Sequence, residues 1–251
     1  PLVTVCDNEP SGVTPRRLTL GPLLWSLGAL GVLVRIGHYL ANRSLFWDEA
    51  GLVLNLVDHS YAELLTKLDY DQVAPLGFLA MSKSLFALFG TSELGLRILP
   101  LTFGVLAVLL FATLARRVLP PIAAALALAL FVLSRALVQY ASEFKPYSLD
   151  VALTIAIVLA AIVGLERHRR GGSLRTFALV SATAGAVIVW FSNAVVFVLA
   201  AAGFAYLYEL GLRERSCSRA VAVAGVCLVW FVSFMAAYFL YLQDMSGDPY
   251  F

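Results

Sequence analysis

Charge is what this 251-residue chain has least of: Asp, Glu, Lys and Arg make up 14% of it, against ~25% in soluble domains. A surface so poor in charge excludes an ordinary water-facing globular domain. Cysteine is also scarce. Cys6, Cys217 and Cys227 are the three present, with no C-x-x-C and no His/Cys spacing, which argues against a disulfide framework or a structural zinc site. The net charge is only +2, so no broad basic surface points to nucleic acid. No Gly-rich phosphate loop follows a strand, and no nucleotide-binding fingerprint is visible. The first apolar run is too long for a cleavable signal peptide. Internal repeats and low-complexity tracts are absent.

What the chain has instead is grease: 61% hydrophobic residues and a mean hydropathy of +0.86. These values indicate an integral membrane protein. Apolar runs fall at about 20–41, 98–115, 121–140, 149–165, 174–191, 194–211 and 220–242, lengths suited to helices crossing a hydrocarbon core of ~30 Å. The run at 75–90 is shorter and carries Lys83. Arg16 and Arg17 precede the first run, and Arg116 and Arg117 follow the second. By the positive-inside rule both pairs are cytoplasmic, so an even number of spans separates them. Segment 75–90 is then a surface-lying helix. Eleven of the eighteen Lys and Arg fall on the inner side in this arrangement, and eleven of the sixteen acids on the outer side.

The expected fold is therefore all-α: a polytopic transmembrane bundle of about seven spans, with interfacial helices in the first outer loop. Residues 1–19 form a cytoplasmic tail, 20–251 the membrane domain, and 44–97 its long outer loop. The chain starts at Pro1 and stops at Phe251 within a loop, and is read as the N-terminal part of a longer protein of the plasma (inner) membrane.

Three outer segments bring ionisable groups to one side: Trp47-Asp48-Glu49, "LDYDQVAP" (68–75) with Asp69 and Asp71, and "QYASEFKPYSLD" (139–150) with Glu143, Lys145 and Asp150. Charges at a membrane boundary are costly unless they pair, meet water or bind something. Each has a structural reading too. Asp48 and Glu49 suit a helix start, Asp69 and Asp71 a solvated turn, and Glu143 and Lys145 a local ion pair. Asp150 suits a cap, Arg97 a head-group anchor, and Arg35 a snorkelling side chain. His38 and His59 read as interfacial residues rather than ligands. Arg135, in the outer part of its run, faces a cavity or a lipid phosphate.

The order of these motifs resembles the GT-C-type membrane glycosyltransferases, in particular the protein O-mannosyltransferase and lipid A aminoarabinose transferase group. "FWDEA" is similar to that group's acidic motif in the first outer loop. "DYDQVAPLGFLAMSKSLFALFGTSELGLRILPLTFGVLAVLLFATLARR" is similar to its "H-P-P-L-Y…F-G…S-E…A-R-L-P-S…G…A-R-R" stretch, and "QYASEFKPYSLD" to its "Y-S-Q-E-A-R-x-Y" corner. At Gln72–Pro75 the chain departs from the pattern, which has His-Pro-Pro or Lys-Pro-Pro. The resemblance covers about 44–150; the later runs match by hydropathy. It implies a sugar donor linked to polyprenyl phosphate, with the acceptor a protein, lipid or glycan hydroxyl.

An inverting transfer needs a base for the acceptor hydroxyl and cations where charge develops on the departing phosphate. Asp48 is the expected base, with Glu49 orienting it, the acceptor or a divalent cation. Lys145, Arg97 and Arg135 are expected at the lipid phosphate. Glu143 positions Lys145 or meets the sugar, Tyr147 lines the substrate site, and Asp71 is a secondary candidate. No cofactor other than a possible divalent cation is implied. Two other readings remain: a transporter or flippase of lipid-linked sugars, which would line a path with intramembrane polar groups, and a catalytically silent scaffold of the same fold.

Overall fold

The computed structural model describes residues 21–90 and 92–243; the expected cytoplasmic tail lies outside the described residues. Those described form helices and no strand: α1 (Gly21–Leu40), α2 (Trp47–Asp58), α3 (Leu76–Phe89), α4 (Glu93–Val118), α5 (Pro121–Leu133), α6 (Arg135–Tyr140), α7 (Tyr147–Arg169), α8 (Leu174–Ile188), α9 (Val195–Tyr206) and α10 (Cys217–Ala237). Both α9 and α10 continue as π-helical turns, giving unbroken helical stretches Val195–Arg213 and Cys217–Leu242. With α1, α4 and α7 these make five helices long and apolar enough to cross a membrane. The other two expected runs are also helical but less simple. Residues 121–140 break at Ser134 into α5 and α6, and α8 has 15 residues. The chain is a polytopic membrane helix bundle.

Pairings between helix ends fix the direction of each. Tyr39 at the end of α1 donates to the Leu94 carbonyl at the start of α4, so these two run antiparallel. The α4 and α7 helices run parallel: Ser148 Oγ donates to Pro100 O at one end, and Arg117 meets Glu166 at the other. Arg169 then bridges to Glu209 beyond α9, and Tyr241, after α10, returns to Asn193 before α9. One end of the bundle thus gathers Arg117, Glu166, Arg169, Glu209 and Arg213. The other end gathers the first-loop motif and the α6–α7 corner.

Packing follows membrane rules. Leu33, Leu126, Leu130, Phe197, Phe204 and Phe231 lie exposed on helices of the bundle; in water such faces would be unpaired apolar patches. Between helices, small residues allow close approach. A Cβ on Gly31 would sit 2.5 Å from Val132, and one on Gly185 2.1 Å from the Trp230 indole nitrogen. Two indoles inside the bundle find acceptors, as bilayer burial favours: Trp230 Nε1 donates to Ser181 O, and Trp190 Nε1 to Ser233 Oγ. Arg35 does not snorkel. It is 1% exposed, donates to Gly31 O in its own helix and lies over the Phe131 ring.

The short elements sit against the motif end. Lys83 on α3 donates from Nζ to the carbonyls of Leu56, at 2.8 Å, and His59. It therefore caps the C-terminus of α2 with a cation, where the helix dipole favours one. Between them the Ser60 amide, and then its hydroxyl, hold the exposed Glu63 carboxyl below its ordinary pKa. The Gly77 amide donates to Trp190 O, tying α3 to the α8–α9 connection.

Gly104 of α4 lies under the α6–α7 corner, where an added Cβ would come 2.4 Å from Ala141 Cβ and 3.2 Å from its Cα. Ala141 is fully buried and has no flexible arm to yield. Gly104→Val should lower stability in detergent by ~1–3 kcal/mol, the range for overpacking. A thermal midpoint equal to that of wild type would show that the corner can lift off α4.

Candidate functional site: an ionic rim on a buried carboxylate

Glu49 stands in the first turn of α2, as expected of an acid at a helix start, but it is completely buried. Its Oε2 accepts from the Phe46 amide at 2.9 Å, closing the helix start. Its Oε1 accepts from the Phe144 amide at 2.6 Å, reaching 95 residues along the chain to the α6–α7 corner. Arg97 Nη2 of α4 lies 3.4 and 3.3 Å from the two oxygens, and Arg43 Nη2 lies 3.4 Å from Oε2. One carboxylate joins the first loop, α4 and the corner.

Arg97 is equally buried, at 1% exposure. Its other contacts are the Arg43 carbonyl at 2.5 Å, the Ser44 carbonyl at 3.5 Å and Glu93 at 4.0 Å. A guanidinium so engaged is a structural clamp. Arg43 stacks on the Phe46 ring at 4.2 Å and reaches Glu143 Oε1 at 3.4 Å, which in turn accepts from Gln139.

Above this buried layer lies a second pair. Lys145 Nζ is 3.3 Å from Asp48 Oδ2, with side chains 10% and 54% exposed respectively. Lys145 also donates to Gln72 Oε1 at 2.8 Å. The corner therefore does not form the expected local Glu143–Lys145 pair: Glu143 turns to Arg43 and Lys145 to Asp48. Around the pair stand exposed aromatics: Trp47 (87%), Phe46, Tyr70 and Tyr147. Tyr147 stacks against Tyr140 at 4.8 Å between ring centres.

The remaining candidates lie apart from this rim. Arg135 is an exposed residue at the start of α6 and makes no ion pair among the described residues. Asp71 is exposed in the turn after Tyr70; both adopt left-handed backbone angles, φ +61° and +51°, which non-glycine residues rarely do. Asn55 holds that turn. From a buried position on α2 it donates from Nδ2 to Asp69 O at 3.1 Å and accepts from Asp69 N at 2.8 Å. Asp69 also faces His59 at 3.5 Å. The turn delivers Gln72, not Asp71, to Lys145. Sequence reasoning missed Gln72, Arg43 and Asn55 as members of this network. The first sits where the motif's basic residue was sought, and nothing in the spacing of the other two marks them.

No group of three or more His, Cys, Asp or Glu among the described residues has metal-holding geometry. Clefts of about 580 and 630 Å³ lie among α7–α10 instead. The first is lined by apolar side chains and Cys227; neither contains a carboxylate that could move a proton. At the motif end Asp48 is a half-exposed carboxylate beside the largely buried ammonium of Lys145.

A polytopic helical membrane protein with an ionic rim at one end is thus the class that fold and cluster define. A sequence model of the family described as dolichyl-phosphate-mannose-protein mannosyltransferase matches residues 73–239, and the chain belongs to that family, a GT-C-type membrane glycosyltransferase. The match takes in Arg97, Arg135, Glu143, Lys145 and Tyr147 and begins after Asp48 and Glu49. No curated protein and no solved structure gives a match.

The two carboxylates of α2 should respond differently to neutralisation. Glu49→Gln strips the anion from two buried or half-buried guanidinium groups and should cost on the order of 3–5 kcal/mol. Asp48→Asn breaks a half-exposed pair and should cost no more than ~1 kcal/mol. Chemical unfolding in detergent measures both; equal losses would contradict the layered arrangement.

Proposed function

We propose that the protein transfers a sugar from a polyprenyl-phosphate-linked donor to an acceptor hydroxyl at the outer face of the membrane, with inversion and with Asp48 as base. The observation carrying this reading is the Asp48–Lys145 pair, a half-exposed carboxylate held 3.3 Å from a buried ammonium. In the reaction the acceptor oxygen attacks the anomeric carbon, and the bond from that carbon to the donor phosphate oxygen breaks. Polyprenyl phosphate departs with the electron pair while Asp48 takes the hydroxyl proton. Lys145 meets the charge growing on the leaving phosphate, where a fixed cation contributes most.

Glu49, Arg97 and Arg43 serve this chemistry indirectly, as positioning residues that join α2 to the corner. Glu143 holds Arg43 in that set, and Tyr147 and Trp47 offer ring faces at the rim. Arg135 lies on α6, between α5 and the corner, and is a secondary phosphate contact. Asp71, exposed beside Gln72, is a secondary acceptor contact rather than a base. A divalent cation would find Asp48 the accessible oxygen donor, and the family's lipid donor needs no nucleotide pocket because the bilayer holds its tail. The clustering of Arg117, Arg169 and Arg213 at one end of the bundle supports an inner location for that end and an outer one for the opposite end.

The test supplies membranes containing the protein with labelled polyprenyl-phosphate mannose and other lipid-linked sugars, plus acceptor extract, and follows release of sugar from lipid. Asp48→Asn should reduce release by ~100-fold or more, the usual contribution of a general base, with expression and fold retained. Undiminished release in the variant would remove Asp48 from the reaction.

A further inference from the structure

The cleft of about 630 Å³ between α7, α8 and α9 lies toward the end of the bundle opposite Asp48. Its floor is made by small residues one helical turn apart on α7, namely Ala156, Ala160 and Gly164, faced by Ala184 of α8. Such spacing ordinarily lets helices close on each other. Here the Phe177 ring of α8 packs over Gly164, where an added Cβ would lie 2.8 Å from it, and the cleft is open beside Ala156 and Ala160, with Tyr206 also in its lining. The cleft then changes character. At its end it meets a second hollow of about 580 Å³, and the two share Val163, Arg167 and Gly172. That hollow is lined by Arg117, Arg167 and Arg170 against one acid, Glu166. Glu166 is engaged by Arg117, while Arg167 and Arg170 form no ion pair among the described residues and are exposed. A long apolar slot that opens under two unpaired guanidinium groups has the shape and charge of an amphiphile with an anionic head.

We infer that this continuous cleft binds one anionic phospholipid, its acyl chain lying on Ala156 and Ala160 beside the Phe177 ring and its phosphate between Arg167 and Arg170. Both parts are needed. Guanidinium groups recognise phosphate by paired donors, and basic pockets at helix ends hold anionic head groups. The apolar slot supplies the remainder by burying methylene groups, and its size lies in the range of small-molecule sites. A free phosphate would satisfy the arginines and leave the slot unfilled; a zwitterionic lipid would fill the slot and place its own cation against Arg167 and Arg170. The site is separate from the proposed transfer chemistry, which lies at the other end of the bundle.

Native mass spectrometry of the detergent-purified protein, titrated with dioleoyl phosphatidylglycerol or dioleoyl phosphatidylcholine, tests the inference. One phosphatidylglycerol should bind with clear preference over phosphatidylcholine. Arg167→Ala/Arg170→Ala should weaken it by about 25-fold, near fivefold per arginine or ~1 kcal/mol each. Arg167→Lys/Arg170→Lys should retain most of the binding. Ala160→Phe should block the slot with the arginines intact, and a thermal midpoint near wild type confirms that it folds. Equal binding of the two lipids, unchanged binding in the double alanine variant, or displacement by millimolar inorganic phosphate would each overturn the inference. So would full binding in a folded Ala160→Phe protein, which would leave only surface charge at work.

Discussion

The burial of the Glu49 carboxylate is the constraint from which the rest of the motif end follows. An anion removed from water needs donors on every side, and Glu49 finds the Phe46 and Phe144 amides, Arg97 and Arg43. Those donors come from the helix start, the α6–α7 corner, α4 and the first loop. Satisfying one carboxylate therefore determines how four parts of the chain meet. Arg97 extends the same logic, since its remaining donors fall on the Arg43 and Ser44 carbonyls and secure the loop leading into α2. Such a set contributes little net stability relative to an apolar replacement. Its value lies in geometry: the corner carrying Lys145 is registered against the helix carrying Asp48.

Much of this fold is legible in the sequence. The expected helical runs are present as helices, five of them long and apolar enough to cross a membrane, and the 75–90 segment is a 14-residue helix at the motif end. Hydropathy suffices for that because each span must satisfy its own backbone bonds in a bilayer. The break at Ser134 and the π-helical ends of α9 and α10 carry no comparable signal. They depend on how neighbouring helices pack, and helical periodicity in a uniformly apolar run does not encode it.

For the site, the sequence marks the neighbourhood but not the pairings. Asp48, Glu49, Arg97, Glu143 and Lys145 all belong to one cluster, yet adjacent residues differ completely in role. Asp48 and Glu49 are successive on a helix and so point about 100° apart; one reaches the rim, the other the interior. No residue-type rule separates them, because burial depends on where the corner falls. Glu143 and Lys145 divide similarly across the tight corner. Gln72 is a neutral side chain in a stretch where a basic group was sought, and its partnership with Lys145 arises only from the left-handed turn that Asn55 grips.

This layering bears on the proposed chemistry through competition. In the resting arrangement Lys145 is neutralised by Asp48 and held by Gln72. A donor phosphate entering the rim offers the ammonium a stronger, more highly charged acceptor than a half-exposed carboxylate. As Lys145 turns toward it, Asp48 loses its ion partner and, in the proposed reaction, is left free to meet an incoming hydroxyl. In the proposed reaction, donor binding and release of Asp48 are then one event, and an acceptor arriving alone meets a carboxylate still paired. Glu49 holds the corner from beneath through the Phe144 amide, so the proposed exchange is a rotation of the Lys145 side chain. A carboxylate as buried as Glu49 could not take part in it, since no acceptor reaches its oxygens and every one of its ion partners holds the fold.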